Sequence, residues 1–325
     1  MKKIDISIII ATRNRASILW TSIEQAIAAT DGMPAEIIIV NDGDQPLEVP
    51  FAFQDKIKCF DNHTRGVSAA RNYGVSKSAG SYLFFVDDDM WINREAICWI
   101  IDHLGDDKNC GSVYNINWEY PGSLNEKLAT TKVGKFILNA NYNTMWGRMH
   151  TSGSRPVVGL YKFNQAASGS LVMHKNIFNT LGGYNESLTF QGEDIDLSNR
   201  LSKLSIPIFC VFDITLHHNH ADRLDLDGYL QRISNGYKSQ FIAEKKGVIP
   251  SSAQHYKKTA IFIFEIFRVS EKVWLALYRL IPHHNIFGAL TNRFTGILSG
   301  LQRYKQWRNI IGREKTFFLK FESAD

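Results

Sequence analysis

Hydrophobic and polar positions in the first half of the chain alternate between two patterns. Short unbroken runs of Ile, Val, Leu and Phe are typical of strands buried on both faces of a sheet, and the segments between them have the periodicity of amphipathic helices. This alternation predicts β-α-β units around a mostly parallel sheet. The predicted strands are 4–11, 36–40, 57–60, 81–86 and 111–118, and the predicted helices are 16–29, 66–76 and 94–104.

The pattern changes twice in the second half. Between residues 120 and 165 it dissolves into Gly, Asn, Ser and Thr with scattered aromatics, and a segment this long without clear elements is more typical of a binding region than of filler. Order returns in a strand at 169–174, a helix at 193–204 and a strand at 208–216. From about residue 227 the pattern is helical, so we expect an α/β domain over residues 1–225 and a helical region over residues 226–325.

One helix of the C-terminal region carries a charged stripe on an otherwise apolar surface. The charged residues recur at three-, four- and seven-residue spacing: Glu265, Arg268, Lys272 and Arg279. From Ser251 onward the chain has 12 Lys and Arg against 5 Asp and Glu, a net charge of +7, within an overall +5. The apolar face either packs on the α/β domain, which we favour, or rests on an anionic membrane with Trp274, Tyr278 and Trp307 as interfacial anchors.

Composition places the chain among ordinary globular proteins. Its 325 residues are 44% hydrophobic and 21% charged, and no run approaches the ~20 apolar residues of a membrane-spanning helix. The four cysteines are isolated, which excludes a zinc knuckle or a disulfide framework and indicates a reducing compartment. Lys2 and Lys3 precede an apolar run, but Asp5 interrupts it and no cleavage site follows. We therefore expect a cytoplasmic protein, either free or at the inner face of the membrane.

The most informative polar positions follow the fourth predicted strand. There the run Leu83–Val86 ends in three consecutive carboxylates, Asp87, Asp88 and Asp89. Such a cluster repels itself and is tolerated mainly where a cation neutralises it, so it predicts a divalent metal together with a phosphate group. The alternative is an acidic turn whose aspartates cap the helix that begins near Asn93.

Polar residues also end the first two strands, at Thr12–Arg15 and Asn41–Gly43. Because the carboxyl ends of parallel strands meet at one edge of a sheet, these turns can meet a nucleotide there. Asp42 either accepts the imide N–H of uracil or caps the turn before Gly43. Arg71 lies on a helix of small residues, as a fixed positive charge facing the nucleotide and its acidic neighbours or as a solvated side chain.

In order and spacing, five motifs resemble those of the family 2 inverting glycosyltransferases with the GT-A fold, over roughly 210 residues. The motifs are A-T-R-N-R at 11–15, N-D-G at 41–43, A-R-N-Y-G at 70–74, D-D-D at 87–89, and G-G-Y-N-E at 182–186 with G-E-D-I-D-L-S-N-R at 192–200. The resemblance implies an α/β fold with a Rossmann-like mixed, mostly parallel sheet flanked by helices. It also implies a nucleotide-sugar donor and a Mn²⁺ or Mg²⁺ cofactor.

The resemblance carries roles over to single residues. The implied nucleotide-sugar site consists of Thr12, Arg15, Asp42, Arg71, Asp87 and Asp88. In it Asp42 would recognise the base, and Arg71 would help hold the base or the acidic cluster. Asp87 would contact the ribose or lie behind the residues that do. Asp89 would bind the metal that bridges the diphosphate.

Catalytic roles fall on the last motif. By the resemblance, Asp194 would be the general base, and Glu193 beside it would orient the acceptor or the donor sugar. Displacement at the anomeric carbon with inversion needs a base on the face opposite the leaving nucleoside diphosphate. The alternative is that both acids occupy the first turn of a helix, where they complement its dipole.

Members of the family often supply a histidine after the next strand as a further ligand of the metal or diphosphate. This chain has His217, His218 and His220 there. Strand alternation puts His218 and His220 on one face and His217 on the other, and we select His218 as the ligand. A surface cluster of imidazoles is the alternative.

The chain lacks the Q-x-x-R-W motif and the transmembrane segments of the processive members, so the resemblance implies a single-addition enzyme. The expected reaction moves one sugar from a UDP-sugar to a hydroxyl of a surface glycan or a lipid-linked oligosaccharide, with no nucleic-acid partner. Two alternatives stay open: a non-catalytic sugar-nucleotide-binding or membrane-associated scaffold, and a D-x-D phosphatase. The phosphatase is disfavoured because its nucleophilic Asp normally ends the first strand, where this chain has Thr12–Asn14.

Overall fold

The computed structural model describes residues 5–104, 110–149, 154–189, 192–220, 225–249, 258–282 and 288–312. These residues form two compact units, one within 1–121 and 143–220 and the other within 122–142 and 221–325. The segment 122–142 thus belongs with the C-terminal helices, whereas the predicted division at residue 225 treats the chain as two consecutive pieces. Each unit is described by itself below.

The first unit is built on a mixed sheet that has nine strands among the described residues. The strands are β1 (Ile6–Thr12), β2 (Ala35–Asn41), β3 (Lys58–Asp61), β4 (Tyr82–Asp87), β5 (Met90–Trp91), β6 (Val113–Glu119), β7 (Leu160–Phe163), β8 (Ser170–His174) and β9 (Ile208–His218). Their order is β3-β2-β1-β4-β8-β6-β9-β5, with β7 also paired to β9. Strands β1 to β4 are parallel, and β8 runs antiparallel to both β4 and β6.

Helices flank this sheet and form most of the second unit. They are α1 (Ala16–Thr30), α2 (Val67–Ser76), α3 (Arg94–Leu104), α4 (Gly122–Ala129), α5 (Lys132–Asn139), α6 (Met145–Met149), α7 (Lys175–Leu181), α8 (Glu193–Lys203), α9 (Leu226–Lys245), α10 (Lys258–Val269), α11 (Glu271–Leu280) and α12 (Gly288–Trp307). The predicted fold class, a mostly parallel sheet flanked by helices with a helical C-terminal region, is confirmed.

The central strands are apolar because both of their faces are covered. Ile8, Ile9 and Ile10 in β1 are almost fully buried, and burying each such side chain contributes roughly 1.5–3 kcal/mol. Helix α2 approaches β1 closely because Gly74 has no side chain: a Cβ there would lie 2.6 Å from Cγ2 of Ile9. The small residues of α2 therefore fix the distance between this helix and the sheet.

The segment 120–165 differs from the sequence expectation of a region without clear elements. It contains α4, α5, α6 and β7. These elements are short, and α5 begins at a cap rather than at an apolar repeat: the side chain of Thr131 accepts a hydrogen bond from the Gly134 amide at 2.9 Å. A Cβ on Gly134 would lie 2.0 Å from the Leu128 carbonyl oxygen, so the glycine permits close packing of α5 on α4.

The second unit has its own aromatic core. Phe241, Tyr304 and Trp307 are buried together, and Tyr278 is buried as well. The sequence interpretation of Tyr278 and Trp307 as interfacial anchors is therefore wrong, because these rings pack inside the unit. Among the helices of the described residues, none combines the length and the hydropathy needed to span a membrane.

Candidate active site

The ends of β1 and β4 bring the first group of predicted site residues together. Thr12 donates to Asp88 Oδ2 at 2.8 Å, and Arg15 pairs with Asp88 Oδ1 and, at 2.8 Å, with Asp89 Oδ2. Both aspartates are buried. Burial and then the charge of Asp89 raise the pKa of Asp88 to about 7, although Arg15 and Thr12 oppose this shift. The acidic run is thus a buried, paired cluster.

A different residue caps the helix after the acidic run. The side chain of Asn93 accepts a hydrogen bond from the Ala96 amide at 3.1 Å at the start of α3. Asp88 and Asp89 do not cap this helix, because their carboxylates are directed to Thr12 and Arg15.

Asp89 also meets two histidines from the end of β9. Nε2 of His218 lies 2.9 Å from Asp89 Oδ1, and Nε2 of His220 lies 3.3 Å from Asp89 Oδ2. The pairing of β5 with β9 produces this contact, since Met90 pairs with His218 and the Asn219 amide donates to the Asp89 carbonyl at 2.7 Å. His218 is the last residue of β9 and His220 follows two residues later, so both imidazoles come from the same short segment.

These three side chains fit a divalent cation. The potential ligand atoms of Asp89, His218 and His220 lie within 4.8 Å of one another, and all three residues are buried. One carboxylate oxygen with two imidazole nitrogens is a donor set that transition-metal ions accept. Nε2 of His218 faces Asp89, while its Nδ1 is buried without a hydrogen-bond partner among the described residues.

His220 was absent from the sequence selection, and so was the residue that holds it. Nδ1 of His220 lies 2.7 Å from the hydroxyl of Tyr120, to which Arg148 also donates. The Arg148 guanidinium lies 5.0 Å from the ring centre of Trp118. Strand alternation pointed to His220 together with His218, whereas nothing in the spacing of Tyr120 and Arg148 indicated their contact with the histidines.

Arg71 connects the acidic run to the start of α8. Its Nη2 lies 3.1 Å from Asp87 Oδ1 and its Nη1 lies 3.1 Å from Glu193 Oε1. The side chain is buried and packs over the ring of Tyr184. Burial opposes its charge, but the pKa of Arg71 is raised because Tyr184 and the surrounding carboxylates outweigh that cost. Arg71 therefore remains a cation between two acids.

The first turn of α8 carries the predicted catalytic acids. Asp194 Oδ1 accepts hydrogen bonds from the Ser168 amide at 3.0 Å and from the Ser168 hydroxyl, which in turn accepts from Tyr184 at 2.8 Å. Burial and then the charge of Glu193 raise the pKa of Asp194 to about 7, against the effects of Arg71 and Ser168. Oε2 of Glu193 is buried without a hydrogen-bond partner among the described residues. A carboxyl group with a pKa near neutrality suits proton transfer.

Sequence reasoning missed Ser168, since it lies in no recognised motif, while Tyr184 is part of the G-G-Y-N-E motif but had no assigned role.

Asp42 lies beside the first group, at the end of β2, where its amide donates to the Thr12 carbonyl at 2.8 Å. Its Oδ1 accepts from the Asn62 side chain at 2.7 Å and from the Gly66 amide at 2.9 Å. These donors fix the orientation of the Asp42 carboxylate at the same edge of the sheet.

Comparison with known proteins finds similarity to glycosyltransferases. Residues 7–154 match the family model described as glycosyl transferase family 2. An uncharacterized glycosyltransferase of Rickettsia bellii (strain RML369-C) is 36% identical over 88 residues, which are 26% of this chain and 13% of that protein. The O-antigen biosynthesis protein RfbC of Myxococcus xanthus is 22% identical over 249 residues, 67% of this chain and 18% of that protein. The chain thus spans less than a fifth of the length of these two curated relatives.

One solved structure shares the overall fold. The mannosyltransferase PcManGT from Pyrobaculum calidifontis, in complex with GDP-Man and Mn²⁺, superposes with a TM-score of 0.53 at 11% identity and covers 92% of this chain and 86% of that chain. The fold is therefore that of the GT-A glycosyltransferases. The family-model match covers residues 7–154, which is less than half of the chain.

Proposed function

We propose that this chain is a metal-dependent, inverting family 2 glycosyltransferase that transfers one sugar from a UDP-sugar. The observation that carries the proposal is the pair of contacts made by Arg71, with Asp87 at the end of β4 and with Glu193 at the start of α8. They join Asp87 on the nucleotide side to Glu193, the neighbour of the candidate base Asp194, although Arg71 and Glu193 are 122 residues apart in the chain. Inverting transfer requires these two kinds of carboxylate in one site.

The metal would be held by Asp89, His218 and His220. When bound, the cation would neutralise the charge that develops on the leaving diphosphate. Mg²⁺ prefers oxygen ligands and water, so two imidazoles favour Mn²⁺ over Mg²⁺. PcManGT, whose fold is similar, was solved with a nucleotide sugar and Mn²⁺. We assign Arg15 to hold Asp88 and Asp89 in place, because it pairs with both carboxylates.

The base and sugar positions follow from the same contacts. Asp194 accepts the proton of the acceptor hydroxyl, whose oxygen then attacks the anomeric carbon on the face opposite the nucleoside diphosphate. Its pKa of about 7 leaves a large ionised fraction at neutral pH. Glu193 orients the acceptor or donor sugar through Oε2, which has no hydrogen-bond partner among the described residues. Asp87 contacts the ribose, since its side chain is 40% exposed.

The remaining assignments rest on the sequence. Asp42 binds the base, and Thr12 supports Asp88 beside the diphosphate. The acceptor is a hydroxyl of a surface glycan or a lipid-linked oligosaccharide, in agreement with the name of the Myxococcus relative. The absence of a Q-x-x-R-W motif favours a single addition. The cytoplasmic location stays a prediction from the sequence.

The test is binding and turnover of nucleotide sugars by the purified chain. UDP-sugars and GDP-mannose are screened with Mn²⁺ for thermal stabilisation and for slow hydrolysis of the donor, with and without a chelator. We expect a UDP-sugar to stabilise the protein only when Mn²⁺ is present. The variants His218→Ala and His220→Ala remove this effect, and the matched control His217→Ala, an exposed neighbour on the opposite face, retains it. Indifference to every nucleotide sugar would contradict the proposal.

A further inference from the structure

Exposed apolar side chains form a stripe along α10 and α11. Its members recur at intervals of three and four residues, and their exposed fractions range from 43% for Leu277 to 78% for Val269. The stripe consists of Phe262, Ile266, Val269, Val273, Leu277 and Leu280. Within each helix, residues at this spacing share one face.

Ser270 separates the two helices. The Ser270 amide donates to the Ile266 carbonyl at 3.1 Å, and the Trp274 amide donates to the Ser270 carbonyl at 3.0 Å. The Val273 amide also donates to the Ser270 carbonyl at 2.9 Å, and the dihedral angles of Ser270, φ −97° and ψ 13°, are not helical, so the chain turns here between two separate helices. The stripe therefore consists of two faces, one on α10 with Phe262, Ile266 and Val269 and one on α11 with Val273, Leu277 and Leu280.

The core of the second unit does not need this stripe. Other faces of the same helices already pack inside it: Trp274 contacts the rings of Phe267 and Phe294, and Phe264 stacks on Tyr304. Contiguous exposed apolar surfaces of this kind usually mark an interaction site. Because other faces of α10 and α11 pack in the core of this unit, the stripe is available to bind a partner.

The charges around the stripe identify its partner. The acids of the two helices are neutralised within the unit, because Glu265 pairs with Arg268 and Arg308, and Glu271 pairs with Lys305. Lys272 is exposed beside the stripe, and the sequence from residue 251 onward carries +7. A second copy of this chain would bring like charges together, which is unfavourable. An anionic surface is favoured instead.

We propose that this stripe binds the surface of an anionic lipid membrane. The helix pair lies in the plane of the interface, with the aliphatic side chains and Phe262 inserted at the level of the headgroups and Lys272 near the lipid phosphates. Arg279 is also exposed next to the stripe, although it lies 3.4 Å from Asp227. Apolar contact and positive charge act together, so the binding requires both.

The experiment is flotation of the full chain with lipid vesicles, in which no donor sugar is present. Vesicles of phosphatidylcholine alone are compared with vesicles of equal parts phosphatidylcholine and phosphatidylglycerol. The double variant Val269→Glu/Leu280→Glu should bind the anionic vesicles at least tenfold more weakly, since the loss of one apolar insertion is alone worth about that factor. Lys272→Gln should reduce this binding about fivefold. The control Val157→Glu changes a valine of 85% exposure in the first unit and should bind as the wild type does.

Thermal unfolding shows whether each variant is folded, and all substituted side chains are exposed. The proposal is overturned if the wild type does not float with anionic vesicles, or if Val157→Glu weakens binding as much as the stripe variant. It is also overturned if the wild type is a dimer that does not bind vesicles and the stripe variant is a monomer. Because the assay measures lipid binding only, its failure would leave the proposed glycosyltransferase activity untouched.

Discussion

The hydroxyl of Tyr120 lies 2.7 Å from Nδ1 of His220, 100 residues further along the chain. Nε2 of the same ring faces Asp89 at 3.3 Å. In the tautomer that a metal ligand requires, Nδ1–H donates to the phenol oxygen and Nε2 keeps its lone pair for the cation. Arg148 donates to the same oxygen. Tyr120 therefore fixes the orientation of the candidate ligand His220 and is not itself a candidate ligand.

The substitution Tyr120→Phe removes this hydrogen bond and keeps the ring. We expect the affinity for Mn²⁺ to fall by about 10- to 100-fold, which is the usual effect of losing the partner of a ligating histidine. Titration calorimetry of Mn²⁺ in the absence of donor measures it. Tyr161→Phe is the matched control, because Tyr161 is an exposed tyrosine on β7. Equal Mn²⁺ affinity of the two variants would refute the orienting role.

Residues that define the fold were predictable because their signals are local. The strands around Ile9 and Phe84 were predicted from unbroken apolar runs. The place of Asp87–Asp89 at the end of a strand was predicted because they come directly after such a run. The contact between Asp89 and His218 was predictable because each residue lies next to the end of a strand. Local periodicity is sufficient for these features, since it reports which faces of an element are buried.

The supporting residues were not predictable, because contacts distant in sequence define them. Ser168 reaches Asp194 and Tyr120 reaches His220 only after the sheet has formed. Neither residue stands out by type or spacing. Helices α4 and α5 were missed for a related reason. Each is eight residues long, so its apolar repeat is too short to detect, and α5 depends on the cap at Thr131 and on Gly134.

Arg71 offers a prediction about stability. In Arg71→Met the carboxylate of Glu193 would lose its ion-pair partner in a buried position, and breaking a buried pair from one side costs about 3–5 kcal/mol of the free energy of unfolding. Urea denaturation measures this cost. Arg65→Met is the control, since the Arg65–Asp44 pair is exposed on both sides and such a pair contributes little to stability. Equal effects of the two substitutions would show that Arg71 has no special structural role.

Asp194→Asn separates a transferase from a scaffold. The amide keeps an oxygen that can accept from Ser168 but cannot accept a proton from the acceptor, so we expect kcat to fall by about 10²- to 10⁴-fold. Binding of the nucleotide sugar, measured by thermal shift with Mn²⁺, should persist. Asp55→Asn, at an exposed position, serves as the control. Unchanged turnover in the Asp194 variant would favour a non-catalytic scaffold or another base.

Loss of stability would not explain an inactive Asp194→Asn variant. The pKa of Asp194 in the folded chain, about 7, is above its ordinary value. The folded state therefore binds this proton more tightly than the unfolded state does, and stability falls as the pH rises towards 7. Removing the carboxyl group should raise the melting temperature above about pH 7 and change it little below about pH 4. The variant is thus expected to be folded wherever activity is assayed.

The pH profile tests the environment of the same carboxyl group. A general base must be ionised, so we expect kcat/KM to rise with pH and to level off above the Asp194 pKa of about 7. Ser168→Ala removes the hydroxyl that stabilises the ionised form and should move the rising limb to higher pH. Ser170→Ala is the matched control, because the Ser170 hydroxyl is buried without a hydrogen-bond partner among the described residues. A limb that stays in place in Ser168→Ala, or moves to lower pH, would exclude Asp194 as the titrating base.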